Sequence, residues 1–197
     1  MLSRRNFLKG AGGALIVGFV GGTFELDAQQ ANPLVGAGSN RLDAWIAVGS
    51  DGIITAYTGK CELGTGLFTA QTQLVAEELS VPFDRVKLIA SDTAYTPDQG
   101  ITSGAQSHPV NFNQANLALA GATARETLLA LGAKRLNAGV DQVMAKDGVV
   151  SVKADPSKKV TYSELVGGRK FDVSLNPNAK RKPPEEWTVL GKSIPRV

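Results

Sequence analysis

Two short β-prone runs, Ala44-Trp45-Ile46-Ala47-Val48 and Ile53-Ile54-Thr55-Ala56-Tyr57-Thr58, flank Ser50-Asp51-Gly52. Asp-Gly tolerates the positive φ values that a tight hairpin turn demands, so this arrangement predicts a β-hairpin. The device recurs at Asp147-Gly148, between 142–146 and 149–153. Between the two hairpins the periodicity changes. From about Phe68 to Leu79, Ala70, Leu74, Val75 and Leu79 share one side of a helix that Pro82 stops. Residues 85–90 alternate like a half-buried strand. From about Gln114 to Asn137, Leu117, Ala120, Ala124, Leu128 and Leu131 fall at helical spacing with alanines around them. Such a surface of small residues packs closely against a sheet. Thr161-Tyr162-Ser163-Glu164 matches the T-x-x-E capping box and predicts a further short helix. Hairpins interleaved with helices give an α+β fold. The expected architecture is two-layered, with β-hairpins and mixed sheet packed by one long and one or two shorter helices.

The two ends of the chain read differently from this middle. Ser3-Arg4-Arg5-Asn6-Phe7-Leu8-Lys9 precedes an uncharged stretch, Gly10 to Phe24, in which six of fifteen residues are glycine. A transmembrane helix needs about 20 predominantly apolar residues, and glycine at this density weakens a helix. The pattern resembles a bacterial twin-arginine export signal, a route that carries proteins already folded, often around a cofactor. Residues 1–31 are therefore expected to act as a signal and the protein to reach the periplasm. Leu26-Asp27-Ala28 is only a rough cleavage site, and an uncleaved signal would hold the protein at the membrane surface. Residues 32–41, with Pro33, Gly36, Gly38 and Ser39, read as a linker, and 42–175 as the folded domain. Residues 176–197, polar and Pro-rich around Lys180-Arg181-Lys182-Pro183-Pro184, read as a connector.

The inventory of reactive side chains narrows the chemistry. One Cys and one His among 197 residues cannot form an intramolecular disulfide or close a zinc site unaided. A net charge of +3 leaves no electrostatic footprint for nucleic acid. His108 lies in a loop before Pro109, and Ser107 beside it is too close in sequence to serve as its nucleophile partner. Cys61 has Lys60 as a neighbour, which could lower a thiol pKa. It also ends a strand pattern, where a free Cys behaves as a small buried hydrophobe. No catalytic or metal-ligating residue is assigned.

Two segments read instead as ligand cradles. Gly64-Thr65-Gly66 lies between a strand and a helix N-terminus, where free N–H groups and the helix dipole favour an anion. Thr102-Ser103-Gly104-Ala105-Gln106-Ser107 lies in a loop, residues 91–113, of a length that is uncommon inside a compact domain and marks either function or disorder. Its hydroxyls, amide and exposed backbone suit phosphate or a polar heterocycle.

These segments carry a resemblance. Gly59-Lys60-Cys61-Glu62-Leu63-Gly64-Thr65-Gly66-Leu67-Phe68-Thr69-Ala70, Gln73-Leu74-Val75-Ala76-Glu77-Glu78-Leu79, Pro82-Phe83-Asp84-Arg85-Val86 and Pro97-Asp98-Gln99-Gly100-Ile101-Thr102-Ser103-Gly104-Ala105-Gln106-Ser107 resemble the large subunit of molybdenum hydroxylases. This is the xanthine dehydrogenase/aldehyde oxidase family, and the β subunit of the isoquinoline 1-oxidoreductase type is the nearest form. The resemblance implies a molybdenum-pterin cofactor, molybdopterin or its cytosine dinucleotide form, with the metal held by pterin sulfurs. It implies cofactor-binding roles for Gly64, Thr65, Gly66, Thr102, Ser103, Gly104, Ala105, Gln106 and Ser107. It further implies hydroxylation of an aldehyde or N-heterocycle, an iron–sulfur small subunit as electron acceptor, and the remainder of the large subunit as partner. Thr65 stands where many members have Gln, and Cys61 where an apolar residue is expected. The family's catalytic glutamate has no counterpart here, and residues 189–197 resemble the approach to the family's next domain, the hammerhead. The chain is accordingly expected to be inactive alone. A non-catalytic exported scaffold and a truncated gene product stand as alternatives.

Overall fold

The structure is a computed structural model, and it describes residues 40–99, 102 and 117–197. Its first sheet starts from the first Asp-Gly hairpin. Strands β1 (Ile46–Val48) and β2 (Ile54–Thr58) pair antiparallel, with Val48 opposite Ile54. Asp51 stabilises the turn through its carboxylate, which accepts the Ile53 N–H at 2.9 Å. After β2 the chain forms helix α1 (Leu67–Glu78), a one-turn 3-10 helix at Phe83–Arg85, and strand β3 (Val86–Ala90). Strand β3 pairs parallel to β2, from Ile54 opposite Val86 to Thr58 opposite Ala90. Parallel neighbours need a crossover, and α1 supplies it.

The second sheet is the antiparallel series β4 (Val143–Lys146), β5 (Val149–Val152) and β6 (Asp155–Thr161), with a bulge at Ser151/Val152. Strand β6 has no counterpart in the sequence reading. Asp155-Pro156-Ser157-Lys158-Lys159 lacks β-branched residues, and a proline and exposed lysines are what an edge strand carries to stay solvated and unpaired.

Helix α2 (Leu117–Leu136 in the described residues) joins the two sheets. It packs on α1 and against all three strands of the second sheet. Its small residues allow this close approach. A side chain at Gly121 would meet Glu78 Cβ at 2.9 Å, and one at Gly132 would meet Val150 Cγ1 at 2.6 Å. Leu117, Ala120, Ala124 and Leu128 are buried as the spacing predicts, but Leu131 is exposed. The start of the expected helix, residues 114–116, lies outside the described residues. Helix α3 (Tyr162–Val166) opens with the capping box read from sequence: Thr161 Oγ1 accepts the Glu164 N–H, and Glu164 Oε2 accepts the Thr161 N–H at 2.7 Å. Tyr162 is buried and its hydroxyl donates to the Leu79 carbonyl at 2.8 Å. The α+β, two-layer expectation holds, with α2 as the long helix.

The segment read as a connector contains only a 3-10 turn, Pro184–Glu186, yet it is bound tightly to α1. It runs back along that helix from its last turn to its first. Glu77 Oε2 accepts the N–H groups of Thr188, Val189 and Leu190 at 2.7, 2.6 and 3.0 Å. Gln73 donates to the carbonyls of Val189 and Lys192, and the Val197 N–H donates to Thr69 Oγ1.

Candidate functional site

Strands β2 and β3 are parallel and finish level with each other, so the segments that follow them leave from one edge of the sheet. In open sheets with parallel strands, ligands are taken at that C-terminal edge. The segment after β2 contains Gly64-Thr65-Gly66, and the segment after β3 leads to Thr102. The two are stitched together. The Ser91 N–H donates to the Thr58 carbonyl, and Ser91 Oγ to the Lys60 carbonyl, both at 2.9 Å. Gln99 is the centre of the seam: its Oε1 accepts from Thr58 Oγ1 at 2.8 Å and from the Gly59 N–H at 2.6 Å. Lys60 Nζ donates to the Gln99 carbonyl at 2.6 Å. Burial pulls the Lys60 ammonium below its ordinary pKa, and the Asp98 carboxylate offsets part of that shift. Finally the Cys61 N–H donates to Thr102 Oγ1 at 2.9 Å.

The structure therefore joins Thr102, across about forty residues of sequence, to the segment that leads into the glycine loop. Ser103, Gly104, Ala105, Gln106, Ser107 and His108 lie outside the described residues. Gly64 and Gly66 have φ of +87° and +81°, values an L side chain rarely adopts, so glycine is what lets the loop turn into α1 here. Among the described residues, nothing lies within 4 Å of where a Cβ would stand at either position. Thr65 is exposed between them, and the described residues leave this side of the loop uncovered.

Two expectations need correction. Cys61 is exposed rather than buried, and its Sγ lies 3.3 Å from Ser91 Oγ. It follows the last residue of β2 by three positions, so the strand pattern no longer dictates its burial. The second concerns the helix N-terminus, where free N–H groups were expected. Glu62 already uses two of them: Oε1 accepts the Gly66 N–H at 3.0 Å and Oε2 the Phe68 N–H at 3.1 Å. The Phe68 N–H, against a smaller upward push from burial and with the amides of Gly66, Thr65 and Gly64 adding to it, holds this carboxyl below its ordinary pKa.

Sequence reasoning missed Gln99, Ser91 and Glu62. An acidic residue just ahead of a helix is a recognisable signal for Glu62, whereas Gln99 and Ser91 act through contacts that no local pattern encodes. Among the described residues no group of three or more His, Cys, Asp or Glu could hold a metal ion.

A family model described as the molybdopterin cofactor-binding domain matches residues 3–188. A nicotinate dehydrogenase subunit of Pseudomonas putida KT2440 is 35% identical over 156 residues, which is 79% of this chain and 13% of that protein. The β subunit of the isoquinoline 1-oxidoreductase of Brevundimonas diminuta is 33% identical over 175 residues, 84% of this chain and 22% of that protein. The chain thus spans between an eighth and a quarter of the length of these relatives. Among solved structures, a reconstituted CO dehydrogenase from Oligotropha carboxidovorans aligns with a TM-score of 0.50 at 23% identity, over 66% of this chain and 16% of that one, which is a likeness of fold. With residues 3–188 matched end to end, the chain belongs to the molybdopterin cofactor-binding domain family of the molybdenum hydroxylases, whose cofactor is a molybdenum-pterin.

Proposed function

We propose that this chain is the cofactor-binding portion of an exported molybdenum hydroxylase large subunit. In this reading it contributes one wall of the cofactor site and is inactive without the rest of the subunit. The carrying observation is the seam at the sheet edge, where Thr102 is tied to Cys61 near two glycines whose Cβ positions no described residue approaches within 4 Å. That edge fits the pterin: it offers backbone polar groups and hydroxyls with room for a flat ring to approach.

The bound cofactor supplies two-electron redox chemistry at its metal. Everything else asked of this chain is positioning. Gln99 and Lys60 fix the relative height of the two loops, and Thr102 holds the backbone at Cys61. Thr65 presents a hydroxyl at the open face of the loop. The overall reaction proposed is hydroxylation of an aldehyde or an N-heterocycle with water as the oxygen source. It releases two electrons and two protons, the electrons going to an iron–sulfur subunit. The names of the relatives, a nicotinate dehydrogenase subunit and an isoquinoline oxidoreductase subunit, support that substrate class and a multi-subunit assembly. Residues 1–31 are proposed as the twin-arginine address to the periplasm, 32–41 as a linker, 42–175 as the cofactor-binding domain, and 176–197 as the lead toward the remaining domains.

The test is to express the full chain in a bacterium that makes molybdenum-pterin cofactors, alone and with the remaining subunits of a related enzyme. Alone, it is expected to carry well under one molybdenum and one pterin per chain and to turn over no aldehyde or N-heterocycle. Co-expression should raise both contents, and replacing Arg4 and Arg5 by Lys should abolish recovery from the periplasm. Full cofactor loading with turnover by the chain alone would overturn the reading, as would no cofactor even in the complex.

A further inference from the structure

Helix α1 presents its N-terminus at the same edge as the glycine loop, which would ordinarily make it a phosphate seat. Its occupant is instead a side chain from the chain itself. Glu62 precedes the N-cap residue Gly66 by four positions, and its two oxygens take the N–H groups of Gly66 and Phe68. One oxygen binds inside the glycine loop and the other inside the first turn of the helix. The carboxylate therefore fixes the angle at which the loop meets α1. Its charge also satisfies the positive end of the helix dipole.

We propose that Glu62 is a positioning residue of the candidate cofactor site: its carboxylate is the resident anion of α1's N-terminus, holds the Gly64-Thr65-Gly66 loop in shape, and closes the Gly66 and Phe68 amides to phosphate. The consequence for ligand chemistry, which rests on the function proposed above, is specific. A phosphate arm does not seat on the Gly66 and Phe68 amides, so the loop meets its ligand through the open face at Gly64 and Thr65 and recognises an uncharged, flat edge. The lowered pKa of the Glu62 carboxyl agrees with a carboxylate kept ionised by backbone donors. The charged group facing it among the described residues is Arg196, whose guanidinium stands 3.5 Å from Oε1. A second anion placed on the same amides would meet the Glu62 charge at contact distance.

The experiment reads the two amides directly. The full chain, labelled with 15N, is titrated with inorganic phosphate at pH 7, and the Gly66 and Phe68 resonances are followed in the wild type, in Glu62→Ala and in Glu62→Gln. Both resonances are expected to stay put in the wild type. In the variants they should move, with an apparent phosphate affinity at least tenfold higher. Glu62→Gln keeps the shape of the side chain while removing its charge, so it serves where Glu62→Ala disturbs folding. Phosphate that shifts both amides in the wild type overturns the proposal, and so does a folded Glu62→Gln chain that ignores phosphate. Cofactor content does not enter this readout, so it stands or falls separately from the cofactor-loading test.

Discussion

The two ends of α1 both carry glutamates, but the protein treats them in opposite ways. At the C-terminal end, Glu77 and Glu78 are fully buried. A carboxylate there opposes the helix dipole and loses its water, so it is unfavourable on two counts. The domain answers with three cations: Lys182 pairs with Glu77, while Arg125 and Arg181 pair with Glu78. Three backbone amides, from Thr188, Val189 and Leu190, complete the set around Glu77. At the N-terminal end, Glu62 sits where the dipole favours a negative charge and is held by two amides, with Arg196 only at the margin. One end is locked by a network that binds the C-terminal segment to the core. The other is set by a single side chain beside open space. A domain that must keep its shape while receiving a ligand divides its electrostatics in this way, with the costly buried pairs placed away from the edge proposed for the ligand.

Removing the lock should produce the largest effect. Glu77→Ala strands Lys182 and three amide donors, and breaking a buried pair in this way costs about 3–5 kcal/mol. Denaturant unfolding measures the loss, and limited proteolysis should show new cleavage between residues 182 and 190. A loss below about 1 kcal/mol, the range of exposed pairs, would erase the contrast between the ends. Acid should act on the same contact. Burial pushes the Glu77 carboxyl up, but Lys182 and the amides of Val189, Leu190 and Thr188 outweigh it, and the net shift is downward. A carboxyl depressed in the folded state contributes stability that is complete above its unfolded value of about 4.3. That contribution is lost as pH falls through the lower folded value. Glu77→Gln should therefore flatten the acid limb of the stability profile.

The next effect comes from the helix facing Glu78. In an exposed helix, replacing Gly by Ala stabilises by about 1 kcal/mol. At Gly121 the added methyl would stand 2.9 Å from Glu78 Cβ and 3.3 Å from Cγ. Glu78 is pinned at both oxygens by Arg125 and Arg181, so it cannot yield without loosening an ion pair. Overpacking of this kind costs about 1–3 kcal/mol, and Gly121→Ala should lower the unfolding midpoint. A rise would mean that the C-terminal end of α1 adapts after all.

What the sequence made legible follows from the range of the interactions. The Asp51-Gly52 and Asp147-Gly148 hairpins and the Thr161/Glu164 box are set by residues within five positions of one another, and all three appear as read. The parallel pairing of β2 with β3 was not readable, because its register depends on how α1 packs rather than on the strands' own residues. Leu131 fits the helical spacing of its neighbours but is exposed, because near the end of α2 it is Gly132 and Ala133 that turn inward, Gly132 lying against Val150. Residues 176–197 read as a connector, since the lysines, arginines and prolines of 180–184 give no hint of two buried carboxylates a hundred residues away. At the site, glycines and Thr102 were visible as residue types, while Gln99 joins the loops through contacts of forty residues' separation.

The smallest effect tests the other half of the contrast. Arg196 is the one charged group the described residues bring to Glu62, at 3.5 Å, and its side chain is 56% exposed. Exposed pairs at that distance are screened by salt and contribute little, whereas the Gly66 and Phe68 amides hold Glu62 at 3.0 and 3.1 Å without help from a cation. Arg196→Ala should accordingly leave the unfolding midpoint unchanged within error, and the Gly66 and Phe68 amide resonances should keep their positions. If those resonances move as far as they do on replacing Glu62 itself, then the N-terminal end is also a cation-locked contact, maintained by the C-terminal segment lying along α1. The helix would then be fastened at both ends, and the freedom attributed to the ligand edge would have to come from the Thr102 side of the seam.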